Sequence, residues 1–395
     1  MRYPLALALI ALAATRSLGA EPFFETRAIF APEDIHNHAS CVTETSGGDL
    51  LATWYRGSGE RKADDVVVLG SWFKRGAKAW SPRFTLADTP GYPDCNPALF
   101  AAPDRTIWLF WPTILDHRWE GALLKFAVAR DDGKHDGPLP WFREGVIHMT
   151  PRAFDTAVAK AIGSLSEAEA KGEKELLNRY TERSKDELYQ RLGWMPRVRP
   201  LALPSGRWLL PLYSDTFDGS IMAISDDKGA TWATSAPILG FGNIQPSLVR
   251  KNDGTIVAFM RDNGRHHQIR LSSSKDDGQT WGPVTDSTLQ NPGAGVDAIR
   301  LANGHWAIIY NDAQKGRNSL ALSVSDDEGA TWKWTRHVEK TGVEQDRFHY
   351  PSLLQTQDGL IHTTYTRRLK GEGSTIQHTA FNEEWVMQGD APSGK

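Results

Sequence analysis

Three copies of one eight-residue pattern decide the fold: SDDKGATW at residues 225–232, SKDDGQTW at 274–281 and SDDEGATW at 325–332. In this pattern the serine and the aspartate satisfy the backbone of a tight turn, the glycine accepts a positive φ, and the tryptophan packs between sheets. The tryptophans are 49 and 51 residues apart, which is the length of one four-stranded propeller blade. The pattern therefore predicts a β-propeller, and because it consists of turn residues it says little about chemistry.

A second repeated pattern gives the number of blades. An apolar run, a turn with Gly or Asp and another apolar run recur at residues 38–55, 96–112, 199–213, 245–260, 297–310 and 350–365. Taken as the first two strands of each blade, these six occurrences predict an all-β, six-bladed propeller. Residues 151–194 interrupt the series with helix formers in amphipathic spacing, so we expect a helical hairpin inserted between blades 2 and 3.

Composition and the N-terminus argue against a nucleic-acid-binding or membrane-spanning protein and indicate an exported one. The chain has 395 residues and a formal net charge of −3, which leaves no basic surface for nucleic acid. Residues 1–20 combine an early arginine, a short apolar run and small residues at the end, which is typical of a secretory signal peptide. No later apolar run is long enough to span a bilayer. We expect an exported protein, periplasmic or secreted, whose propeller occupies residues 21–395 and which has no membrane partner.

The two cysteines and the acidic residues indicate no metal centre. Cys41 and Cys95 leave two alternatives open, one disulfide or two separate buried thiols, because sequence does not give their geometry. Neither has a histidine partner at metal-ligand spacing. No motif requires a cofactor, and only a structural Ca²⁺ stays open as an addition.

Strand alternation predicts which side chains meet. In a propeller the starts of first strands and the ends of second strands share one face, around a central funnel, whereas the turns with the repeated octapeptide lie on the other face. The predicted funnel is rich in Arg, His and Tyr, which suits an anionic sugar, since arginine binds carboxylates and aromatic rings pack on sugar faces. The candidate residues are His36, His38, Arg56, Asp94, Asn96, Gln245, Arg261, Asn263, His349, Tyr350 and Arg367.

With this repeat and these candidate residues, the chain resembles the sialidase (neuraminidase) superfamily, whose propellers carry the octapeptide as the Asp-box or BNR repeat. The resemblance implies three arginines that clamp the substrate carboxylate, a Tyr–Glu pair that acts as nucleophile and base, and an Asp as acid/base. Arg261, in Arg-Asp-Asn-Gly, is similar to a clamp arginine, and Tyr350, in Tyr-Pro-Ser-Leu, is similar to the nucleophile. Asp64 is the match for the acid/base, and Arg367 is expected as a second clamp arginine.

Two positions depart from the family pattern. His36-Asn37-His38 stands where the family has Arg-Ile-Pro, and Gln245 stands in place of the activating Glu. A glutamine cannot deprotonate a phenol, whose ordinary pKa is about 10. We therefore expect His36 or His38 to occupy the position of the missing arginine. Sugar contacts are expected from Arg56, Asp94, Asn96, Gln245, Asn263 and His349.

Three functions stay open on this evidence, all with an acidic glycan as the partner. The first is an exo-acting hydrolase of the sialidase type that removes a terminal acidic sugar. The second is a polysaccharide lyase or a His-dependent glycosidase, in which His36 or His38 acts at a uronic acid. The third is a propeller that binds glycans without cleaving them. Residues 151–194 leave two alternatives open, a lid over the funnel or an addition without a role in function.

Overall fold

Six antiparallel β-sheets form the molecule. The computed structural model describes residues 20–133, 135–342 and 345–390, and the sheets follow one another along that chain. They are the six blades of a β-propeller, which confirms the predicted all-β fold. The predicted signal peptide lies, apart from residue 20, outside the described residues, so export stays a prediction.

The strands of the first three blades follow chain order, after one strand that belongs to the last blade. That strand is β1 (Phe24–Ala28). Blade 1 consists of β2 (His36–Glu44), β3 (Leu50–Gly57), β4 (Val67–Phe73) and β5 (Phe84–Ala87). Blade 2 consists of β6 (Ala98–Ala102), β7 (Thr106–Ile114), β8 (Ala122–Arg130) and β9 (Arg143–Val146). Blade 3 consists of β10 (Met195–Pro196), β11 (Leu201–Ala202), β12 (Trp208–Ser214), β13 (Gly219–Ser225) and β14 (Ala233–Thr234).

The other three blades complete the ring. Blade 4 consists of β15 (Asn243–Arg250), β16 (Ile256–Asp262), β17 (Gln268–Ser274) and β18 (Thr285–Gln290). Blade 5 consists of β19 (Asp297–Arg300), β20 (Trp306–Tyr310), β21 (Ser319–Ser325) and β22 (Trp334–Lys340). Blade 6 contains β23 (Arg347–Gln355), β24 (Ile361–Leu369) and β25 (Gly373–Phe381). Its fourth strand is β1, which pairs with β25 in antiparallel register, so the two ends of the chain close the ring together.

The innermost strands carry the feature that places the site. Ala39, Asn96, Gln245 and Tyr350 all have positive φ, between 41° and 57°. Three of these four lie where the innermost strand shifts register against its neighbour, and such a bulge re-aims the side chain it contains. A proline follows each of Asn96, Gln245 and Tyr350. Proline has no N–H to donate to the hydrogen-bond ladder between strands. The bulges of β15 and β23 bring the side chains of Gln245 and Tyr350 within hydrogen-bond distance of each other.

The Asp-boxes lie between the last two strands of blades 3, 4 and 5, as predicted. In the first box, Oγ of Ser225 accepts a hydrogen bond from the N–H of Gly229 at 2.7 Å, and Asp227 accepts one from the N–H of Thr231 at 2.8 Å. Trp232 packs edge-on against Trp108 of blade 2, with ring centres 6.3 Å apart. The box thus fastens one blade to the preceding one.

The insertion between blades 2 and 3 consists of four helices instead of the expected hairpin of two. They are α1 (Phe154–Gly163), α2 (Glu167–Gly172), α3 (Lys174–Arg183) and α4 (Glu187–Arg191). Asp186 accepts a hydrogen bond from the N–H of Leu188 and so starts α4 as a separate helix. Phe154, Val158, Leu177 and Tyr180 are buried against Phe217 and Trp194 in the core of blades 2 and 3. The insertion is therefore part of the core; a role as a lid stays a prediction.

The remaining features concern the chain's end, its cysteines and its helices. A short helix, α5 (Glu383–Met387), follows blade 6. Cys41 and Cys95 are separate, buried thiols, which decides between the two alternatives left open by the sequence. Within the described part of the chain, none of the helices has the length and hydropathy needed to cross a bilayer.

Candidate active site

Tyr350 lies at the centre of the candidate site. Its hydroxyl oxygen accepts a hydrogen bond from Nη1 of Arg261 at 3.1 Å and one from Nε2 of Gln245 at 3.3 Å. A Cβ on Gly295 would lie 2.7 Å from Cδ1 of Tyr350, so a residue without a side chain is needed there. The bulges of β15 and β23 and the end of β16 therefore bring together three residues that the sequence placed in one funnel.

Two further arginines surround the same phenol ring. The guanidinium carbon of Arg197 lies 4.7 Å from the ring centre of Tyr350, and that of Arg317 lies 5.7 Å from it. Arg197 is buried and donates to the main-chain oxygens of Ser40 and Pro351. Cations over an aromatic face are attracted by the ring quadrupole, so both arginines hold the phenol in place.

The three arginines at this site have no carboxylate within ion-pair distance among the described residues. Arg197, Arg261 and Arg317 bind main-chain oxygens, the Tyr350 hydroxyl and uncharged side chains. Among the residues that the structure describes, no carboxylate forms an ion pair with any of the three. Unpaired guanidinium groups in a concave site favour an anionic ligand.

Three histidines lie beside Tyr350 in the same site. The ring centre of His38 lies 4.6 Å from that of Tyr350, 5.4 Å from that of His349 and 5.1 Å from that of His36. Nδ1 of His349 lies 2.7 Å from Nη1 of Arg317. Because a guanidinium can only donate, this nitrogen of His349 is the acceptor, and the ring is neutral.

The pKa values of the three histidines and of Tyr350 all lie below their ordinary values. Burial lowers the pKa of His36, and it lowers the pKa of His38 and His349 further because neighbouring cations add to it. Burial by itself raises the pKa of Tyr350, but the charges of Arg261 and Arg317 overcome burial and bring that pKa below its ordinary value. The site thus combines neutral imidazoles with an acidified phenol, which suits proton transfer and nucleophilic attack.

These side chains line one cavity of about 470 Å³. Its wall includes His36, His38, Arg261, Arg317, His349, Tyr350, Arg368 and Glu60. Beside it, three buried atoms have no hydrogen-bond partner among the described residues, namely Oε1 of Gln245, Nε of Arg261 and Nε2 of His349. Buried polar atoms without a protein partner are uncommon and mark places where a polar ligand can bind.

The described residues contain no group of three or more His, Cys, Asp or Glu side chains placed to hold a metal ion. Whether the protein uses a cofactor is not decided by that finding. The prediction that none is required stays a prediction.

The loop after β3 presents a different carboxylate from the predicted one. Asp64 lies outside the lining of the cavity, and its Oδ1 is 2.7 Å from Nε2 of His117, with both side chains about half exposed. Glu60, four residues earlier, lines the cavity and accepts a hydrogen bond from the Tyr55 hydroxyl at 2.8 Å. Glu60 has a φ of 51°, so the loop turns at this residue. The carboxylate that this loop brings to the cavity is therefore Glu60.

Arg367 also lies apart from the cavity, which corrects its prediction as a clamp. Its guanidinium pairs with Asp346 at 2.9 Å and lies 3.9 Å from Glu339. The next residue, Arg368, lines the cavity instead. Successive side chains of a strand point to opposite faces, and both arginines belong to β24, so a difference of one position decides which of them faces the site.

Three predicted sugar contacts are held within the protein. Arg56 pairs with Glu33 at 2.8 Å. Asp94 is fully buried and accepts hydrogen bonds from two threonine hydroxyls. Asn96 donates to the Tyr213 hydroxyl at 3.2 Å. None of these three predicted contacts lines the cavity, and their polar atoms are used to fix neighbouring strands and loops.

Sequence reasoning missed Arg317 and did not single out Arg197 as a functional residue. Arg317 lies in the loop between β20 and β21, two residues before β21 begins. The signal that could have identified Arg317 as a site residue was its position two residues before the third strand of a blade. Arg197 directly follows β10, and nothing in the sequence placed it beside the Tyr350 ring.

The family of the chain follows from comparison with known proteins. The sequence profile of the BNR repeat-like domain matches residues 48–141 and 191–363. These ranges cover more than half of the chain and leave out most of the helical insertion. The chain belongs to the BNR repeat-like family.

This BNR-repeat propeller is similar to sialidases in sequence and in fold. A sialidase from Micromonospora viridifaciens is 26% identical over 177 residues, which cover 42% of this chain and 26% of that protein. The matched segment thus spans about a quarter of that relative's length.

Two solved structures extend the likeness over nearly the whole chain. A protein of unknown function from Dyadobacter fermentans has a TM-score of 0.68 at 18% identity, covering 91% of this chain and 98% of that one. The NanB sialidase from Streptococcus pneumoniae has a TM-score of 0.67 at 13% identity, covering 91% and 71%. Together with the family match, these likenesses confirm the predicted membership of the sialidase superfamily.

Proposed function

We propose that this protein is a glycosidase that cleaves a terminal acidic sugar from a glycan, with Tyr350 as the nucleophile. The observation that carries the proposal is the phenolic oxygen of Tyr350, which receives a hydrogen bond from Arg261 inside a cavity that also contains Arg317 and Arg368. A sugar carboxylate beside these guanidinium groups would place its anomeric carbon near the phenol. Export of the enzyme, as the sequence predicts, is part of the same proposal.

The proposed roles follow from charge and position. The phenolate oxygen of Tyr350 attacks the anomeric carbon and forms a covalent glycosyl intermediate, while the bond to the leaving oxygen breaks. Glu60, at the cavity wall, gives a proton to that leaving oxygen. It then takes a proton from the water that attacks the anomeric carbon, and the bond to Tyr350 breaks to release the phenolate. Arg261, Arg317 and Arg368 bind the carboxylate. His36 and His38 stand where the superfamily has an arginine, so they supply hydrogen bonds without a fixed charge.

The similarity to sialidases makes sialosides the first substrates to test. Purified protein is incubated with α-sialosides and with uronate-capped oligosaccharides, and the products are identified by mass spectrometry. Tyr350→Phe should lower turnover by about 10²- to 10⁴-fold while substrate binding is retained. Tyr310→Phe is a matched control, because this hydroxyl bonds Ser323 within blade 5. A Tyr350→Phe enzyme with the wild-type rate would overturn the proposal, and binding without any turnover would favour the glycan-binding function.

A second candidate function is elimination at a uronic acid. It is favoured by one observation, the neutral His38 whose ring centre lies 4.6 Å from that of Tyr350. His38 would take the C5 proton, Tyr350 would give its proton to the leaving oxygen, and Arg261 would neutralise the carboxylate. Elimination adds no water to the products and leaves an unsaturated uronate that absorbs in the ultraviolet. The product masses therefore separate the two functions.

A further inference from the structure

A continuous chain of hydrogen bonds connects the helical insertion to the centre of the candidate site. The hydroxyl of Tyr180 in α3 donates to Oδ2 of Asp218, and Nδ2 of Asn263 donates to Oδ1 of the same carboxylate at 2.7 Å. Oδ1 of Asn263 accepts from Nη2 of Arg261 at 2.9 Å, and Nη1 of Arg261 donates to Tyr350 at 3.1 Å. Five side chains from the insertion and from blades 3, 4 and 6 thus form one series.

The insertion end of this series is buried and packed. Tyr180 is buried, and its ring stacks on Phe241 with ring centres 5.5 Å apart and an angle of 10° between the planes. Burial and the neighbouring Asp218 raise the pKa of Tyr180, so its hydroxyl keeps its proton and acts as a donor. Asp218 has a φ of 45°, and its main-chain oxygen accepts a hydrogen bond from the N–H of Gly242 at 2.8 Å.

The chemistry of each group determines which partner donates and which accepts in every hydrogen bond of the series. An ionised carboxylate only accepts hydrogen bonds, and an amide has one accepting oxygen and one donating nitrogen. Asp218 therefore turns the nitrogen of Asn263 toward itself, and the oxygen of Asn263 is left facing Arg261. A guanidinium only donates, so this is the orientation of the amide that holds Nη2. In the reversed orientation two donors would face each other.

We propose that Tyr180 and Asp218 are positioning residues that set the orientation of Arg261 at Tyr350 through Asn263. The insertion is then a working part of the site, because it determines where one carboxylate-binding guanidinium points. This inference rests on the proposed function only in giving Arg261 a role in binding the acidic sugar. The hydrogen-bond series itself can be tested without a substrate.

The first measurement is NMR of the arginine side chains in full-length protein, with Arg261 assigned from an Arg261→Lys variant. Tyr180→Phe keeps the ring that stacks on Phe241 and removes only the hydroxyl. It should shift the Nη signals of Arg261 and speed rotation about its Cζ–Nε bond. Thr181→Val is the matched control, since this hydroxyl bonds Leu177 within α3, and it should leave those signals unchanged. Unchanged signals in Tyr180→Phe, together with shifted signals in Asn263→Ala, would overturn the role of Tyr180.

Asp218→Asn serves as the second variant. It keeps the shape of the side chain but no longer dictates which way the Asn263 amide turns, so it should disturb Arg261 more than Tyr180→Phe does. If Asp218→Asn leaves the Arg261 signals as in the wild type, the directional argument is wrong.

Kinetics provide a separate readout once a substrate is found. Tyr180→Phe should raise KM for the acidic substrate about 3- to 10-fold and change kcat less, since the hydroxyl acts on binding through Arg261. The Tyr180→Phe/Asn263→Ala double variant should be no worse than Asn263→Ala alone, because both changes break one series. Additive losses would count against the series. If no acidic glycan is turned over, the proposed function fails, and the NMR result still decides this inference.

Discussion

Gln245 donates a hydrogen bond from Nε2 to the hydroxyl oxygen of Tyr350, over 3.3 Å. Arg261 donates to the same oxygen at 3.1 Å, so the phenol faces two donors at the position where the sialidase superfamily has a carboxylate beside its tyrosine. Two donors stabilise a phenolate, whereas a carboxylate would destabilise it. The pKa of Tyr350 in this chain is therefore lowered by positive charge.

Replacing Gln245 with Glu tests this arrangement. Gln245→Glu should move the titration of Tyr350 to higher pH, because a negative charge beside the phenol opposes its ionisation. The titration is measured by ultraviolet difference spectra against Tyr350→Phe. Gln245→Met, which removes the donor and adds no charge, should give a smaller rise. A Tyr350 titration that does not move in Gln245→Glu would contradict activation by positive charge.

Arg317 and Arg367 should differ sharply when each is replaced with Met. Arg317→Met removes a guanidinium from the cavity and should raise KM or Kd for an acidic sugar about 10- to 100-fold, the usual effect of losing a hydrogen bond to a charged group. Arg367→Met should leave KM and Kd for the sugar within about twofold of the wild-type values, because Arg367 pairs with Asp346 away from the cavity. Calorimetric titration with the sugar measures both variants. Equal losses of affinity in the two variants would show that Arg367 also contributes to binding the sugar.

Asp297 ties the blades together at the axis, and its loss should destabilise the fold. It is fully buried and accepts hydrogen bonds from Arg199 at 2.8 Å, Ser247 at 2.8 Å and the N–H of Leu353 at 2.7 Å. Asp297→Asn leaves the charge of Arg199 without its partner, which should lower the free energy of unfolding by about 3–5 kcal/mol. Urea unfolding followed by tryptophan fluorescence measures the change.

The control for Asp297 is an ion pair at the surface. Asp226→Asn breaks the pair with Arg207, which is 2.6 Å long and mostly exposed on the aspartate side. Exposed pairs contribute at most about 1 kcal/mol. If the two variants lose similar amounts of stability, the axial network does not have the proposed importance.

The free energy of unfolding should fall as the pH falls below 6.5. His362 and His378 stack with ring centres 5.2 Å apart, and burial lowers the pKa of His362 to about 4 and that of His378 well below its ordinary value. In the unfolded chain both titrate near pH 6.5. Between about pH 6.5 and pH 4 the unfolded chain binds protons that the folded protein does not bind. Each such histidine therefore removes about 1.4 kcal/mol of stability per pH unit in that window.

One histidine opposes this trend. A hydrogen bond with Asp312 raises the pKa of His337, so its contribution to stability is present below about pH 6.5 and is lost as the pH rises through its folded-state pKa. Asp215 opposes the trend as well below about pH 6, because burial raises the pKa of this carboxyl to about 6. His36, His38 and His349 have lowered pKa values like His362 and His378, so these five histidines should set the sign of the net slope. Urea midpoints at neutral and mildly acidic pH measure it, and His362→Gln should flatten the slope. A protein more stable at acidic pH would refute this balance of charges.

Local sequence was enough for the architecture. The Asp-box places its serine, aspartate, glycine and tryptophan within eight residues, so the contacts that define the turn are made by neighbours in the chain, as between Ser225 and Gly229. Its spacing gives the length of a blade, and the second repeated pattern gives the number of blades, without any knowledge of long-range contacts. The same local reasoning placed Tyr350, His38 and Arg261 at strand ends on one face, and the structure brings these three together.

Only the tertiary structure decided which neighbours of those residues complete the site. Arg367 and Arg368 differ by one position on β24, and the pairing of strands determines which one faces the cavity. Glu60 and Asp64 share one loop, whose path depends on a positive φ at Glu60. Arg197 reaches Tyr350 across 153 residues of chain, and Tyr180 reaches Arg261 through two other side chains. Such contacts arise from the closure of the ring and the docking of the insertion, and residue spacing does not encode them.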